Sequence, residues 1–509
     1  MTSTEIIRLA HGYHPDLYDQ DGNPRFLSSS SPGCNSKLVA NIDTLDSNKK
    51  LQAETSEFIQ DEKQLSNVDK YLMPEYRVRQ IMCLYYTLKR FVKGFAVGYM
   101  GKFTYSFVGA LAKTHGNPQK LYNYMKSIVF NEYTIGYGLF LGGFSTIFEQ
   151  IMRFTLEYSK KGISRRILVL ISSFFASFAF FALPQASRLT ISMFFFVRAI
   201  EIGAKHLREK GLLPDFQYAD TLLMAVASSQ VLWAWIFNRD SLESSYAHFL
   251  DYQGGRDHSV YKSFVVVGQS GVEFLSQQTK LMQDVNLWRA KHNISPLILA
   301  PGATASELIH DILHPHTSSC TTHFFQYFQA AYFRAIPVYI PIYVLPLVCF
   351  RFKSLFKHPL ANIVSTATGI GRSSLFLSTY CSVAWYVACI ISKIYKHSTL
   401  TGFIGGFCAG LSVAIEKKGR RIELALYVLT QAIPSFTRTL QYYHILPKIK
   451  HFEFVVFLFS MCVIMNSYII QPHFLRRNYL SSLKFVFGSR DGYFHTNNQS
   501  EDVTLMKSI

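Results

Sequence analysis

The chain has 509 residues, of which 49% are hydrophobic, 15% are aromatic and only 17% are charged. Soluble domains average roughly 25% charged residues, so this depletion argues against an ordinary soluble globule. The net charge is +18, but many Lys and Arg residues lie in short loops between apolar runs, for example Lys160 and Arg166. Such basic loops orient membrane helices and contact anionic lipid, so we expect a lipid bilayer as partner and no nucleic acid.

The chain begins with a polar segment, residues 1–70, that is rich in Ser, Asn and Asp. This composition predicts a disordered N-terminal tail. The stretch Tyr71–Val92 that follows is basic and amphipathic. It predicts a helix that lies on a membrane surface or leads into a first span.

Ten apolar runs then follow along the chain. They are Phe91–Ala112, Ile135–Met152, Ile167–Leu183, Leu189–Gly203, Tyr218–Phe237, Ala335–Phe350, Leu375–Ile391, Leu400–Ile415, Ile422–Phe436 and Phe454–Ile470. A helical span needs about 20 apolar residues, so the runs predict eight to ten crossings. The predicted fold class is all-α: a polytopic transmembrane helix bundle built from two related halves.

The two halves are recognised by a spacing of 233 residues. This shift superimposes Ile167–Leu250 on Leu400–Leu483 without a gap and places Arg188 on Arg421. We therefore predict a first membrane helical repeat over 71–253 and a second over 324–487. Between them, 254–323 is predicted as a polar connector with a His/Cys-rich motif, and 488–509 as a polar tail. The loop charges leave open whether the copies are parallel or inverted.

Small residues recur at a spacing of four within the apolar runs, so each set lies on one helix face. These residues are Gly138, Gly142, Ser173, Ser177, Gly402, Gly406 and Gly410. Small side chains let two helix backbones approach closely, and such packing drives helix association in lipid. We predict helix packing at these positions, with a glycine-lined substrate path as the alternative.

Two charged pairs interrupt the apolar runs. Arg198 and Glu201 are three residues apart, and Glu149 and Arg153 are four apart, so each pair lies on one helix face. Charges inside a membrane are costly and often functional. We predict neutralised pairs that stabilise the bundle, with a transport role as the alternative.

The His/Cys-rich motif offers candidate metal ligands within a short segment. The candidates are His310, His314, His316, Cys320 and His323. A tetrahedral zinc site takes four His or Cys ligands, and Pro315 ends the helix that would carry the first two. A structural zinc is one interpretation; the other, without any cofactor, is a turn with interfacial histidines and a buried thiol. The eight cysteines contain no C-x-x-C pair, so we expect no disulfide framework.

Several short motifs resemble the transmembrane protein 135 family. They are His314–Cys320, Tyr339–Pro346, Gly406–Ser412, Glu416–Arg421, Phe140–Phe144, Thr190–Met193 and Tyr218–Asp220. The resemblance extends from about Phe91 to Phe487 and leaves out the N-terminal tail. The chain is also distantly similar to small peroxisomal membrane proteins and mitochondrial import channel subunits. One departure is that the half with the His-Pro and Ser-Cys motif comes second here and first in the animal members.

The resemblance implies a non-catalytic, multi-pass protein of mitochondrial or peroxisomal membranes that affects organelle dynamics and lipid homeostasis. The endoplasmic reticulum and lipid droplets are alternative locations. A second copy of the chain or other organelle membrane proteins are expected partners. Two further hypotheses stay open: a transporter or channel for a small metabolite or lipid, and a zinc-containing membrane enzyme.

Overall fold

The computed structural model describes residues 75–114, 118–158, 164–299, 302, 304–350, 356–394 and 400–488. The regular structure within these residues is helical throughout, with no strand, so the predicted all-α fold is confirmed. The predicted N-terminal tail lies outside the described residues, and so does the C-terminal tail after Gly488.

The first half and the connector contain ten described α-helices. Those of the first half are α1 (Glu75–Thr114), α2 (Pro118–Val129), α3 (Glu132–Tyr158), α4 (Arg165–Ala176), α5 (Gln185–Glu209), α6 (Ala219–Phe237) and α7 (Ser244–Gly254). The connector contains α8 (His258–Gln277), α9 (Thr279–Lys291) and α10 (Ala305–Leu313). Two 3₁₀ helices, Ser177–Ala182 and Arg239–Ser241, follow α4 and α6.

The second half contains six described α-helices. They are α11 (Cys320–Phe350), α12 (Pro359–Ile394), α13 (Leu400–Gly410), α14 (Lys418–Tyr442), α15 (Phe452–Ile470) and α16 (Arg477–Phe487). The 3₁₀ helices Leu411–Ile415 and Pro472–Phe474 follow α13 and α15.

The helix boundaries repeat with the spacing that the sequence predicts. Helices α14, α15 and α16 begin and end 233 residues after α5, α6 and α7, and the short 3₁₀ helix after α15 keeps the same offset. The chain also turns alike before α6 and α15, because Gly211 and His444 both adopt positive φ there. The spacing is therefore a property of the backbone as well as of the sequence.

Corresponding hydrogen bonds recur at the same offset. Arg188 donates from Nε to the carbonyl of Leu183 at 2.9 Å, and Arg421 donates to the carbonyl of Glu416 at 2.8 Å. Each guanidinium also reaches a carbonyl inside the preceding 3₁₀ helix. The last carbonyls of a helix have no partner within it, so each Arg satisfies two groups that the 3₁₀ ends leave open.

Two hydrophobic cores hold the molecule together, and each uses helices from both halves. One core joins α6 and α7 of the first half to the connector and to α11–α14. The other joins α3–α5 of the first half to α15 and α16. Each half therefore contributes its last two helices to the core of the other, and the predicted repeats share their interiors.

The connector is folded although its sequence is polar. Asp257 caps α8 by accepting from the backbone N–H of Ser259, and Thr304 forms a capping box with Glu307 at the start of α10. Leu275 and Val285 are buried in the first core. Further buried apolar side chains of α8 and α9, together with four from α10, join the same core, so the three connector helices pack with α6, α11 and α12.

Five helices of the described chain are long and apolar enough to cross a membrane. They are Arg165–Ala182, Ala219–Phe237, Cys320–Leu345, Pro359–Ile391 and Phe452–Ile470. This is fewer than the eight to ten crossings that the sequence predicted. Helix α5 is not among the five, since Arg198, Glu201 and Lys205 interrupt its apolar surface. The five helices are compatible with a multi-pass membrane protein.

Candidate metal centre and buried ion pairs

Four side chains, three from one short segment and one from a remote part of the chain, meet where α10, α11 and α12 converge. They are His310, His314, Cys320 and Cys389, and one ligand atom from each lies within 4.8 Å of the others. His314 Nε2 is 3.5 Å from Cys320 Sγ and 3.4 Å from Cys389 Sγ, and the two sulfurs are 3.0 Å apart. This group could hold a metal ion.

The local sequence explains how the two histidines are placed. Helix α10 is short and well capped at its start, and Pro315 prevents it from continuing beyond His314. His310 lies on the last turn of α10 and His314 directly follows the helix, and their ring centroids are 5.0 Å apart. The chain then makes a tight turn, in which His314 Nδ1 contacts the carbonyl oxygen of Thr317 at 2.6 Å, and α11 starts at Cys320.

The contact to Thr317 determines which ring nitrogen faces the sulfurs. A carbonyl only accepts, so Nδ1 of His314 carries the proton and Nε2 is left with a lone pair directed at the two thiols. Burial lowers the pKa of His314 below its ordinary 6.5, and His310 adds to that effect, so the imidazole is neutral at physiological pH. A neutral imidazole with this tautomer is the form that binds a metal ion.

Two arginines hold α10 against the rest of the connector. Arg256 donates to the carbonyls of Ile312 and Leu313, the last residues of the helix. Arg289 is buried, donates to the carbonyl of Ser295 at 2.5 Å and pairs with Asp311. Cations at the C-terminal end of a helix satisfy its free carbonyls and its dipole, so these two contacts hold α10 in place and need no metal.

The space at the cluster suits a single ion. A cavity of about 10 Å³ lies beside it, and His314, Cys320 and Cys389 are among its lining residues. Such a volume is close to the minimum that one water molecule needs. The cavity therefore has room for one ion or one water molecule.

The cluster shares three residues with the five predicted candidates. His310, His314 and Cys320 meet there, whereas His316 is exposed on the turn. His323 lies one turn into α11, with its ring 5.4 Å from that of His314 and its Nε2 beside Arg256. Sequence reasoning missed Cys389, because it lies 69 residues after Cys320 inside an apolar run where a thiol is indistinguishable from a small core residue.

The predicted pair of Arg198 and Glu201 belongs to a larger network that joins the two halves. Arg198 also contacts Glu423 of α14 at 2.7 Å, and Arg476 contacts both Glu201, at 2.6 Å, and Glu423. Burial raises the pKa of Glu201, but Arg476, Lys205 and Arg198 outweigh this effect and hold the pKa below its ordinary 4.5. Opposite charges therefore neutralise one another inside this network.

The second predicted pair lies on α3, on the side of the helix that faces α1. Glu149 is buried and contacts Arg153 at 2.7 Å, the partner that the sequence predicts. It also contacts Arg90 of α1, whose guanidinium in turn donates to the carbonyl of Val486 in α16. One carboxylate thus connects α1 and α3, and Arg90 extends the connection to the second half.

The small residues lie at close helix crossings. Gly402, Gly406 and Gly410 face α6; a Cβ at Gly406 would lie 2.5 Å from the carbonyl oxygen of Ser228. Gly138 and Gly142 face α1, where a Cβ would meet Phe95 or the backbone of Phe91. Ser173 and Ser177 are fully buried, and their hydroxyls donate to carbonyls one turn earlier in α4.

No protein-family model matches the chain, and no solved structure matches it. The class of protein is therefore defined by the fold and the site described above. The described chain is an all-α bundle with five helices that could cross a membrane and a His/Cys cluster that could hold a metal ion.

Proposed function

We propose that the chain is a non-catalytic, multi-pass membrane protein of mitochondria or peroxisomes that affects organelle dynamics and lipid homeostasis. The observation that carries the membrane part is the set of five long apolar helices. Their outward faces support it: Phe174 and Phe178 on the α4 segment and Val455 and Phe459 on α15 are each at least 44% exposed. Contiguous large apolar side chains outside a core indicate contact with lipid. The organelle is suggested by the family resemblance.

A pair of matched substitutions tests the membrane part. Phe459 lies on the outward face of α15, and Leu212 lies in the loop before α6; both are exposed. In lipid, Phe459→Asp should cost about 2–3 kcal/mol and reduce membrane retention during an alkaline carbonate wash. Leu212→Asp should leave retention unchanged. A wild-type chain that leaves the membrane in this wash, or equal tolerance of both substitutions, would contradict the proposal.

The organelle part is tested separately. A tagged full chain at native expression should coincide with mitochondrial or peroxisomal markers, and its deletion should change organelle shape or the amount of stored lipid. A membrane-retained protein whose deletion alters neither would leave the membrane assignment intact and refute the organelle role.

We further propose that the metal is zinc and that its role is structural. Donor atoms at the corners of a zinc tetrahedron lie roughly 3.3 to 3.8 Å apart, and the contacts of His314 to the two sulfurs, 3.4 and 3.5 Å, are of this size. The two sulfurs are 3.0 Å apart and would separate by roughly 0.8 Å to occupy two corners. Two imidazoles and two thiolates fill all four positions, which is typical of structural zinc and leaves no place for substrate. The bound ion would tie the connector helix α10 to α11 and α12.

Metal analysis of detergent-purified protein tests this directly. We expect one zinc per chain, and Cys320→Ser or Cys389→Ser should abolish binding. Cys462→Ser is the matched control: this cysteine is free and lies on α15, away from the cluster, so the metal content should not change. Wild-type protein without stoichiometric zinc, after preparation without chelators, would overturn the assignment.

A transporter or channel is the second candidate. The observation that favours it is that α4 and α13, which correspond in the two halves, both change into 3₁₀ helices. Transporters often bind substrate at interrupted helices in corresponding positions of two repeats. Reconstituted vesicles that show no flux of small metabolites or lipid would count against this function.

A further inference from the structure

We propose that the zinc site is redox-regulated: oxidation joins Cys320 and Cys389 in a disulfide and releases the metal. This inference rests on the proposed zinc binding and concerns how the metal would be released. It concerns a cysteine pair that belongs to two different helices, α11 and α12.

The geometry of the two thiols carries the inference. Their sulfurs are 3.0 Å apart and would be roughly 3.8 Å apart at two corners of a zinc tetrahedron. A disulfide bond is about 2.05 Å long, so a shift of about 1 to 2 Å joins them. Both cysteines lie on helices that already pack against each other, so neither helix has to move as a whole. His314 contacts both sulfurs, and a zinc ion bound between these three side chains would hold both sulfurs as thiolates.

The two thiols differ in their accessibility. Cys389 is only 3% exposed, whereas Cys320 is half-buried and follows two exposed residues, Ser318 and Ser319, on the turn. An oxidant that arrives from water therefore meets Cys320 first. Cys389 lies behind it as the resolving thiol, the arrangement that redox-sensing pairs use.

Hydrogen peroxide is the simplest oxidant for the reaction. The Cys320 thiolate attacks one peroxide oxygen, the O–O bond breaks, and the product is a sulfenic acid at Cys320 and hydroxide. The Cys389 thiolate then attacks the Cys320 sulfur, the S–S bond forms, and a second hydroxide leaves. Two thiolates lose two electrons in total, the peroxide gains them, and two protons from solvent convert both hydroxides to water. With both sulfurs in the disulfide, only His310 and His314 would remain as ligands, too few to retain zinc.

Oxidation and simple metal loss have different structural consequences. The disulfide keeps α11 and α12 joined, whereas His310 and His314 on the α10 side lose their common ligand. Helix α10 then keeps its contacts with Arg256 and Arg289 and its buried apolar side chains in the first core. Oxidation thereby removes one tie between α10 and the pair of helices α11 and α12, while α11 and α12 stay joined.

The experiment uses zinc-loaded full-length protein in detergent. Peroxide should release zinc to a chromogenic chelator in step with a disulfide between Cys320 and Cys389, identified by peptide mass mapping. A thiol reductant with added zinc should reverse both changes. Cys462→Ser should behave as wild type, because that cysteine takes no part.

A second variant separates metal release from disulfide formation. Cys389→His keeps four ligands but removes the resolving thiol, so zinc should bind and peroxide should release it at least tenfold more slowly. If wild-type protein never binds zinc, the proposed metal site has failed. If it binds zinc but peroxide yields no disulfide, or releases the metal with Cys320 and Cys389 oxidised separately, only the redox inference has failed.

Discussion

At the residue scale, Gly406 shows how little space separates two helices of the bundle. A methyl group there would lie 2.5 Å from the carbonyl oxygen of Ser228, a backbone atom of α6. Backbone cannot rotate away as a side chain can, so any larger residue forces α13 and α6 apart. The predicted packing role of this glycine set rests on such contacts.

We therefore expect Gly406→Ala to destabilise the protein by about 1–3 kcal/mol. Gly203→Ala is the matched control: Gly203 also lies within a helix, and a methyl group there meets nothing within 4 Å. The control should be neutral or slightly stabilising, since Ala favours helix over Gly by roughly 1 kcal/mol. Thermal unfolding in detergent measures both, and equal effects would refute the packing role.

His314 illustrates residue chemistry that depends on its neighbours. The sequence places it four residues after His310 and directly before Pro315, and this pattern is enough to predict a shared helix face. Its tautomer depends on the Thr317 carbonyl, and its burial on α11 and α12 packing over it. Only the first of these properties is visible in a linear pattern.

At the element scale, the two 3₁₀ ends with their arginines are a feature that the halves share. Arg188 and Arg421 donate to carbonyls in equivalent positions, five and seven residues earlier in the chain. A similar environment in both halves implies a similar energetic contribution. The three connector helices differ from these elements, because the 233-residue spacing does not relate them to other helices of the described chain.

Alanine substitution should therefore have parallel effects in the two halves. We expect Arg188→Ala and Arg421→Ala each to lower thermal stability by about 1–2 kcal/mol, because each leaves two carbonyls without their donor. Arg166→Ala, at an exposed position near the start of α4, should change stability by less than about 0.5 kcal/mol. A large loss at one arginine and none at the other would argue against equivalent roles.

At the scale of the whole molecule, the halves are joined by shared cores and by one buried ion network. Arg198 and Glu201 belong to α5 of the first half, and Glu423 and Arg476 to the second. Removing one member leaves its partners as uncompensated buried charges, which costs about 3–5 kcal/mol. The network therefore stabilises mainly the contact between the two halves, since its charges come from both of them.

This network predicts a specific pH dependence. The pKa of Glu201 is held below 4.5, so its ionised form stabilises the folded state. That contribution is complete above pH 4.5 and is lost as pH falls through the lower folded-state pKa. Thermal unfolding from neutral to acidic pH should show this loss in wild type. Glu201→Gln should be less stable at neutral pH and depend less on acidification; an unchanged acid profile would contradict the assignment.

The sequence by itself determined the features that depend on neighbouring residues and on regular spacing. Apolar runs predict helices because each helix forms hydrogen bonds within its own segment, and the 233-residue spacing appears again in the helix boundaries. The motif from His310 to Cys320 contains three of the four cluster residues, and these could be predicted because they lie close together in the sequence.

Only the tertiary structure decided which distant residues meet. Cys389 completes the cluster because α12 packs on α11, and Glu423 and Arg476 complete the ion network because the halves exchange their last two helices. Hydrophobic burial is non-directional. An apolar run therefore indicates that a helix is buried or faces lipid, but it does not indicate which helix it packs against. Close contacts between remote segments follow from the packing of all the helices together.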